Sequence, residues 1–337
     1  MSNVTVTPIG HCKATDTPNT NWYFCPNVGA AYFYAILYAL SLVAHIAQGI
    51  IYRKGYSWVI AMGALWELLA YIFRILSINH PANVSWYSAW FVVILLAPLW
   101  INAYVYMVLG RMVYNFTANA KILGVKAWRF GLYFVLLDIA AFLVQAAGAS
   151  MASGNNITTT QIENALHIYM GGVGLQEAFI LCFLGLAFRF QRQMSRETPI
   201  QDKPRATQLL YTVYAALTLI TIRIIFRLIE YSKGINSSIP RHEAYQYVFD
   251  STLMLFALIL FNIFHPGRLM PGKEADFPSR KQRKAAGKNG VMGRAAAGAG
   301  GNVLPLYERS GDDESGFAGN ESGGKGDGNG NVNGVGG

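Results

Sequence analysis

The chain has 337 residues, of which 53% are hydrophobic and 13% charged, with a formal net charge of +9. Soluble domains carry about 25% charged residues. A level near half that, with 19 Phe, 19 Tyr and 7 Trp, excludes an ordinary soluble domain and points to the membrane. The positive charge is sorted by loop, which removes nucleic acid as a partner.

Residues 1–30 are polar and lack a basic stretch followed by an apolar run, so no cleavable signal is expected there and the first span does the targeting. Cys12 and Cys25 both fall in this segment; an oxidising exterior permits a bridge between them, and two free thiols are the alternative. Seven apolar blocks follow, at about 31–52, 57–77, 86–108, 128–150, 165–188, 208–229 and 244–264. Each reaches the roughly 20 residues that cross a ~30 Å hydrocarbon core. The expected fold is therefore an all-α membrane protein, a bundle of seven transmembrane helices spanning 31–267.

Lys and Arg alternate between connections. Arg53 and Lys54 follow the first block, Arg111, Lys121 and Lys126 the third, and Arg189, Arg192, Arg196, Lys203 and Arg205 the fifth. The C-terminal segment adds 280-RKQRK-284, whereas the connections at 78–85 and 151–164 carry no Lys or Arg. The positive-inside rule then places the N-terminus outside and the C-terminus in the cytoplasm. Asn-x-Ser/Thr acceptor patterns at Asn3, Asn83, Asn156 and Asn236 all fall on the exterior in this arrangement; those at Asn115 and Asn320 fall inside and read as chance. Residues 268–337 form a cytoplasmic tail. Its basic run faces the anionic leaflet, and its Gly/Asn-rich remainder is too poor in apolar residues to order itself.

Ionisable residues inside spans are costly and usually face the bundle interior. The second block holds Glu67 and Arg74, seven apart on nearly one helix face. The fourth holds Asp138 and Gln145 in the same spacing, and the fifth holds Gln176 and Glu177. The sixth carries Arg223, Arg227 and Glu230 as one stripe, and the seventh carries Asp250. His45, Gln48 and Asn102 are weaker members of this set. Depth counting puts Arg74, Gln145, Arg223, Arg227 and Asp250 in one cationic layer toward the exterior, above Glu67, Asp138 and Glu177 near the middle. Two readings stand. One is an ion-pair network that fixes helix rotation. The other is a polar cavity between spans two, six and seven that receives a zwitterionic or amino-alcohol head group.

Small residues at 171-GGVG-174 and 146-AAGAS-150 let the fourth and fifth helices approach closely, and Pro98 is expected to kink the third. The six His are scattered with no i, i+4 pair, so no metal site is expected. No nucleophile elbow or phosphate loop is present, so neither a cofactor nor catalysis is expected, and any transport is passive, gradient-driven or regulatory.

The run 222-IRIIFRLIEYSKGINSSIPRHEAYQYVFDSTLMLFALILFNIFHPG-267 resembles the hallmark of the fungal RTA1-like family, also called lipid-translocating exporters. The pattern includes Arg223, Arg227, Glu230, Glu243 and Asp250. The segments 110-GRMVY-114, 138-DIAAFLVQAAG-148, 174-GLQEAFILCF-183 and 24-FCP-26 are similar to further family patterns. One departure is 148-GAS-150, where members often carry three Gly. The resemblance implies seven spans and an exterior N-terminus. It also implies a plasma-membrane role in moving sphingoid long-chain bases, toxic amphiphiles or porphyrins, with membrane lipids and a small amphipathic substrate as partners. The alternative classes are a seven-helix sensor or flippase regulator and, behind it, an intramembrane enzyme. A receptor is disfavoured because 110-GRMVY-114 lacks an acidic-Arg-aromatic triplet, and a retinal protein because 244–265 holds no Lys.

Overall fold

The structure is a computed structural model that describes residues 11–151, 158–232, 239–240, 242–279, 281, 283, 293 and 294. These all belong to one compact unit, 1–300. Asn3, Asn156, Asn236 and the Gly/Asn-rich end of the tail lie outside the described residues.

Seven helical spans are present: Val28–Tyr52, Gly55–Asn79, Val84–Phe116, Ala127–Met151, Thr160–Glu197, Lys203–Ser232 and Glu243–Leu269. The all-α bundle expected from the apolar blocks is thus the fold found. Helix lengths differ from block lengths. The fifth span has 38 residues, roughly 57 Å at about 1.5 Å per residue, close to twice a hydrocarbon core. Its added turns carry Arg189, Arg192 and Arg196. Hydropathy marks where side chains leave lipid, but the backbone ladder continues into water until something stops it. Here Thr198 is extended at φ −77°, ψ 131°, and Pro199 follows it.

Local sequence explains the other ends. The side-chain amide oxygen of Asn27 accepts the Ala30 N–H at 3.0 Å, and that of Asn83 accepts the Ser85 N–H at 2.9 Å, capping the first and third spans. Thr158 and Gln161 form a reciprocal capping box on the fifth helix. The third helix runs through Pro98 without interruption. Between the third and fourth spans the chain makes an unexpected two-stranded hairpin, Lys121–Ile122 against Val125–Lys126. Leu123 and Gly124 turn it, with φ 49° and 78°, the paired positive values of a tight hairpin turn.

The fourth and fifth helices meet backbone to backbone at two glycines. A Cβ on Gly148 would sit 2.5 Å from the Tyr169 nitrogen, and one on Gly172 would sit 2.8 Å from the Gln145 nitrogen. Gly171 and Gly174 face open space, so half of the small-residue run makes no contact. The close approach survives the loss of the family's Gly triplet because Gly148 itself is kept.

The chain folds over both ends of the bundle. At the N-terminal face, Cys12 is bonded to Cys25. Trp22 is buried below the loop and donates its indole N–H to the Ser77 carbonyl at 3.2 Å. At the opposite face, residues 268–279, assigned to the tail by sequence, pack onto helix ends. Lys54 is buried there and donates to the Gly272 carbonyl at 2.7 Å and to Asp276 at 3.2 Å. Asn115 donates to the Ala275 carbonyl at 3.0 Å, which explains why this acceptor pattern is buried.

The glycine contact yields a stability prediction. Gly148→Leu or Gly172→Leu drives a side chain into backbone and lowers the unfolding midpoint in detergent, at a cost of at least the ~1–3 kcal/mol typical of overpacking. Gly171→Leu leaves the midpoint unchanged.

Candidate functional site

Arg223 and Arg227 stand one turn apart on the sixth span, so their side chains share a face. Both are buried, and both reach the same buried carboxylate, Asp250 on the seventh span: the Arg223 Nε donates to Oδ1 and the Arg227 Nη2 to Oδ2. Arg227 also donates through Nη1 to Glu230 at 2.9 Å. Glu67 on the second span is 2% exposed and makes no ion pair among the described residues. The ion pairs therefore tie together spans six and seven.

Arg74 does not join them. The expected single cationic layer is two separate groups. Arg74 donates to Glu243 Oε1 at 2.7 Å and to Gln246 Oε1 at 3.2 Å. Its guanidinium lies 4.5 Å from the Trp90 ring centre and 5.2 Å from those of Trp22 and Tyr247, within cation–π range. The second oxygen of Glu243 accepts the Asn27 N–H at 2.7 Å. This group thereby joins the N-terminal segment, the first, second and third spans and the start of the seventh. The 67/74 spacing placed both side chains inward correctly. The spacing named no partner for Arg74; the structure supplies Glu243, seven residues before Asp250.

Between Glu243 and the rest of the seventh helix is a π turn, Tyr247–Ser251, which contains Asp250. Such a turn holds an additional residue and recurs at functional sites. Side chains satisfy its widened backbone. The Thr252 hydroxyl donates to the Tyr247 carbonyl at 2.8 Å, and the Tyr38 hydroxyl to the Ser251 carbonyl at 2.7 Å. The Tyr71 hydroxyl bonds to the Ser251 hydroxyl. Tyr34 and Tyr71 stack at 5.4 Å, and Tyr34 and Tyr247 at 5.0 Å. Sequence reasoning missed these tyrosines because it followed charge alone. The Tyr34/Tyr38 spacing of four was the available signal; the π turn left none.

The remaining candidates form two further groups. Gln145 donates to Gln176 at 3.0 Å across the fourth and fifth helices. Asp138 accepts at one oxygen from Asn102 at 3.1 Å and from Tyr106 at 2.9 Å. Glu177 is 9% exposed and one of its carboxylate oxygens is buried without a hydrogen-bond partner. Between spans six and seven, at the place where a cavity was expected, Arg223, Arg227 and Asp250 are buried against one another. The cavity that does reach the arginines lies among spans three to six, lined by Leu95, Gln145, Tyr169, Gln176, Arg223 and Arg227. It offers about 10 Å³, the room of one water rather than of a head group. Among the described residues no cluster of three or more His, Cys, Asp or Glu is gathered for a metal.

The network sets a stability ordering. Asp250→Asn leaves two buried guanidinium groups short of a counter-charge and costs about 3–5 kcal/mol, read as a lower unfolding midpoint in detergent. Adding Arg223→Gln to it restores part of the loss. If the double variant is less stable than the single by the full cost of Arg223→Gln alone, the two residues are not coupled.

A family model described as RTA1 like protein matches residues 60–273. A probable lipid transporter of Emericella nidulans, atnI, is 39% identical over 267 residues, covering 75% of this chain and 70% of that protein. Protoporphyrin uptake protein 1 of Saccharomyces cerevisiae is 31% identical over 204 residues, 60% of this chain and 65% of the relative. The sphingoid long-chain base transporter RSB1 of the same species is 21% identical over 317 residues, covering 82% and 83%. No solved structure matches. The matched stretch holds every charged residue of both ion-pair groups, from Glu67 to Asp250, and the chain belongs to the RTA1-like family.

Proposed function

We propose that this protein moves amphipathic lipids or toxic amphiphiles, of the sphingoid long-chain base kind, across or out of the plasma membrane. It acts as a transporter rather than an enzyme. The observation that carries this reading is the pair of buried ion-pair groups inside a seven-helix bundle whose relatives are named lipid transporters. Intramembrane ionisable groups are costly to keep, and they mark substrate routes. A head group bearing an amine and hydroxyls offers the same bonds that Arg74 gives Glu243 and that Arg223 and Arg227 give Asp250. It can therefore take the place of one partner when the seventh span parts from its neighbours. The π turn beneath Asp250 is the element suited to that movement, because its ladder is already held by side chains.

The basic connections support an exterior N-terminus, with residues 1–30 outside, 31–267 in the membrane and 268–337 cytoplasmic. An N-terminal epitope is then stained on intact cells and a C-terminal one only after permeabilisation; the reverse pattern overturns the orientation.

For transport, the purified protein in liposomes accelerates the movement of labelled phytosphingosine between leaflets several-fold over protein-free liposomes. In a fungal host, Arg227→Gln lowers tolerance to phytosphingosine at normal surface abundance. Liposomes with no acceleration sink the reading. Loss of tolerance only in proportion to lost abundance reduces the network to a fastening between helices.

A further inference from the structure

The buried acids of the two ion-pair groups have basic partners: Asp250 has Arg223 and Arg227, Glu230 has Arg227, and Glu243 has Arg74. Asp138 differs. It is 1% exposed at the middle of the fourth span, and among the described residues no Lys, Arg or His forms an ion pair with it. Its hydrogen bonding is lopsided. Oδ2 takes both donors, Asn102 Nδ2 and the Tyr106 hydroxyl, and Oδ1 takes none. The amide oxygen of Asn102 is also buried and without a donor. A residue pair joined by one hydrogen bond thus holds two acceptors that both lack a hydrogen. Buried acceptors left unmatched are destabilising.

We propose that Asp138 is a proton-carrying site, with the proton on Oδ1, and that its loading and unloading couples a proton gradient to the movement of substrate. One proton cures both faults. It turns Asp138 Oδ1 from an unmatched acceptor into a donor, and the unmatched amide oxygen of Asn102, a residue already bonded to Asp138, is an acceptor for it. Oδ2 then remains the carbonyl oxygen, with two donors for its two lone pairs. A metal cation fits less well, because hard cations take about six or more oxygens and only two are free here. The groups facing the site are Asn102 and Tyr106 from the third span, with Glu177 of the fifth in electrostatic range of Tyr106. Glu177 also has a buried oxygen without a partner. In a cycle, one proton joins the Asp138 carboxylate from one side of the membrane and leaves to the other, with no other bond made or broken. A proton gradient is a source of drive that needs no nucleotide site. The coupling half of the proposal rests on the transport reading above; the proton itself does not.

The two halves are tested separately. Infrared spectra of the reconstituted protein are recorded for wild type, Asp138→Asn and Tyr106→Phe. The wild type shows a protonated-carboxyl carbonyl band that shifts in heavy water and is absent from Asp138→Asn. Tyr106→Phe moves that band to higher frequency, because Oδ2 loses a donor. No band lost in Asp138→Asn, or no shift in Tyr106→Phe, overturns the assignment. In liposomes with an imposed pH gradient, wild type moves phytosphingosine several-fold faster in one gradient direction than in the other, after subtraction of the protein-free rate. Asp138→Asn loses that asymmetry. Equal rates in both directions for wild type overturn the coupling. Absence of any protein-dependent movement overturns the transport reading and the coupling with it, and leaves the infrared result to decide the proton.

Discussion

Asp250 is the residue on which the arrangement turns. One carboxylate answers two buried guanidinium groups on the neighbouring helix. A buried pair of this kind contributes little net stability against apolar packing, because removing the charges from water costs about as much as their attraction returns. What it contributes is selection. Any rotation of the sixth or seventh helix that separates the partners leaves charge uncompensated in a low-dielectric interior, so the phase of both helices is fixed. The second helix is tied in through the Tyr71 hydroxyl, and Tyr34 and Tyr38 of the first span bond the same π-turn region beside Asp250.

The Arg74 group does the same at the N-terminal face with different means. Its guanidinium is enclosed by three aromatic rings as well as a carboxylate. Arg is suited to this where Lys is not: its plane stacks on rings while its edge makes directed bonds. The fourth and fifth helices, by contrast, are joined with hardly any charge. Gly148 and Gly172 bring their backbones together, and the Gln145–Gln176 bond sits beside that contact. The bundle thus has one side held by ion pairs and another held by close packing. The first side has discrete alternative partners available and the second does not.

Most of the fold was legible from apolar block length, and the inward phase of Arg223, Arg227 and Glu230 from their spacing. The Gln145, Gln176 and Gly148 contacts were legible in kind, since small and amide residues recur where helices touch. Partner identity was not. Arg74 and Glu67 share a face, yet the partner of Arg74 is on the seventh helix, because pairing depends on interhelical distance and not on spacing within a helix. The π turn and the hairpin at 121–126 were also hidden. Each is a local backbone solution that tertiary contacts stabilise, and Leu123 at positive φ is a residue no turn rule selects. The ordered stretch 268–279 was read as tail because its composition is polar. Its order comes from Lys54 and Asn115, residues remote in sequence.

The coverings at the two ends have a consequence for how the interior is reached. The disulfide-closed segment with Trp22 sits over one end, and residues 268–279 sit over the other. A solute in water meets folded chain from either direction. A molecule already dissolved in the bilayer meets only helix flanks, several of them presenting Ile, Leu and Phe outward. For the proposed transport, a sideways approach from the lipid would disturb neither covering, and partitioning into the bilayer would then act as a first sieve.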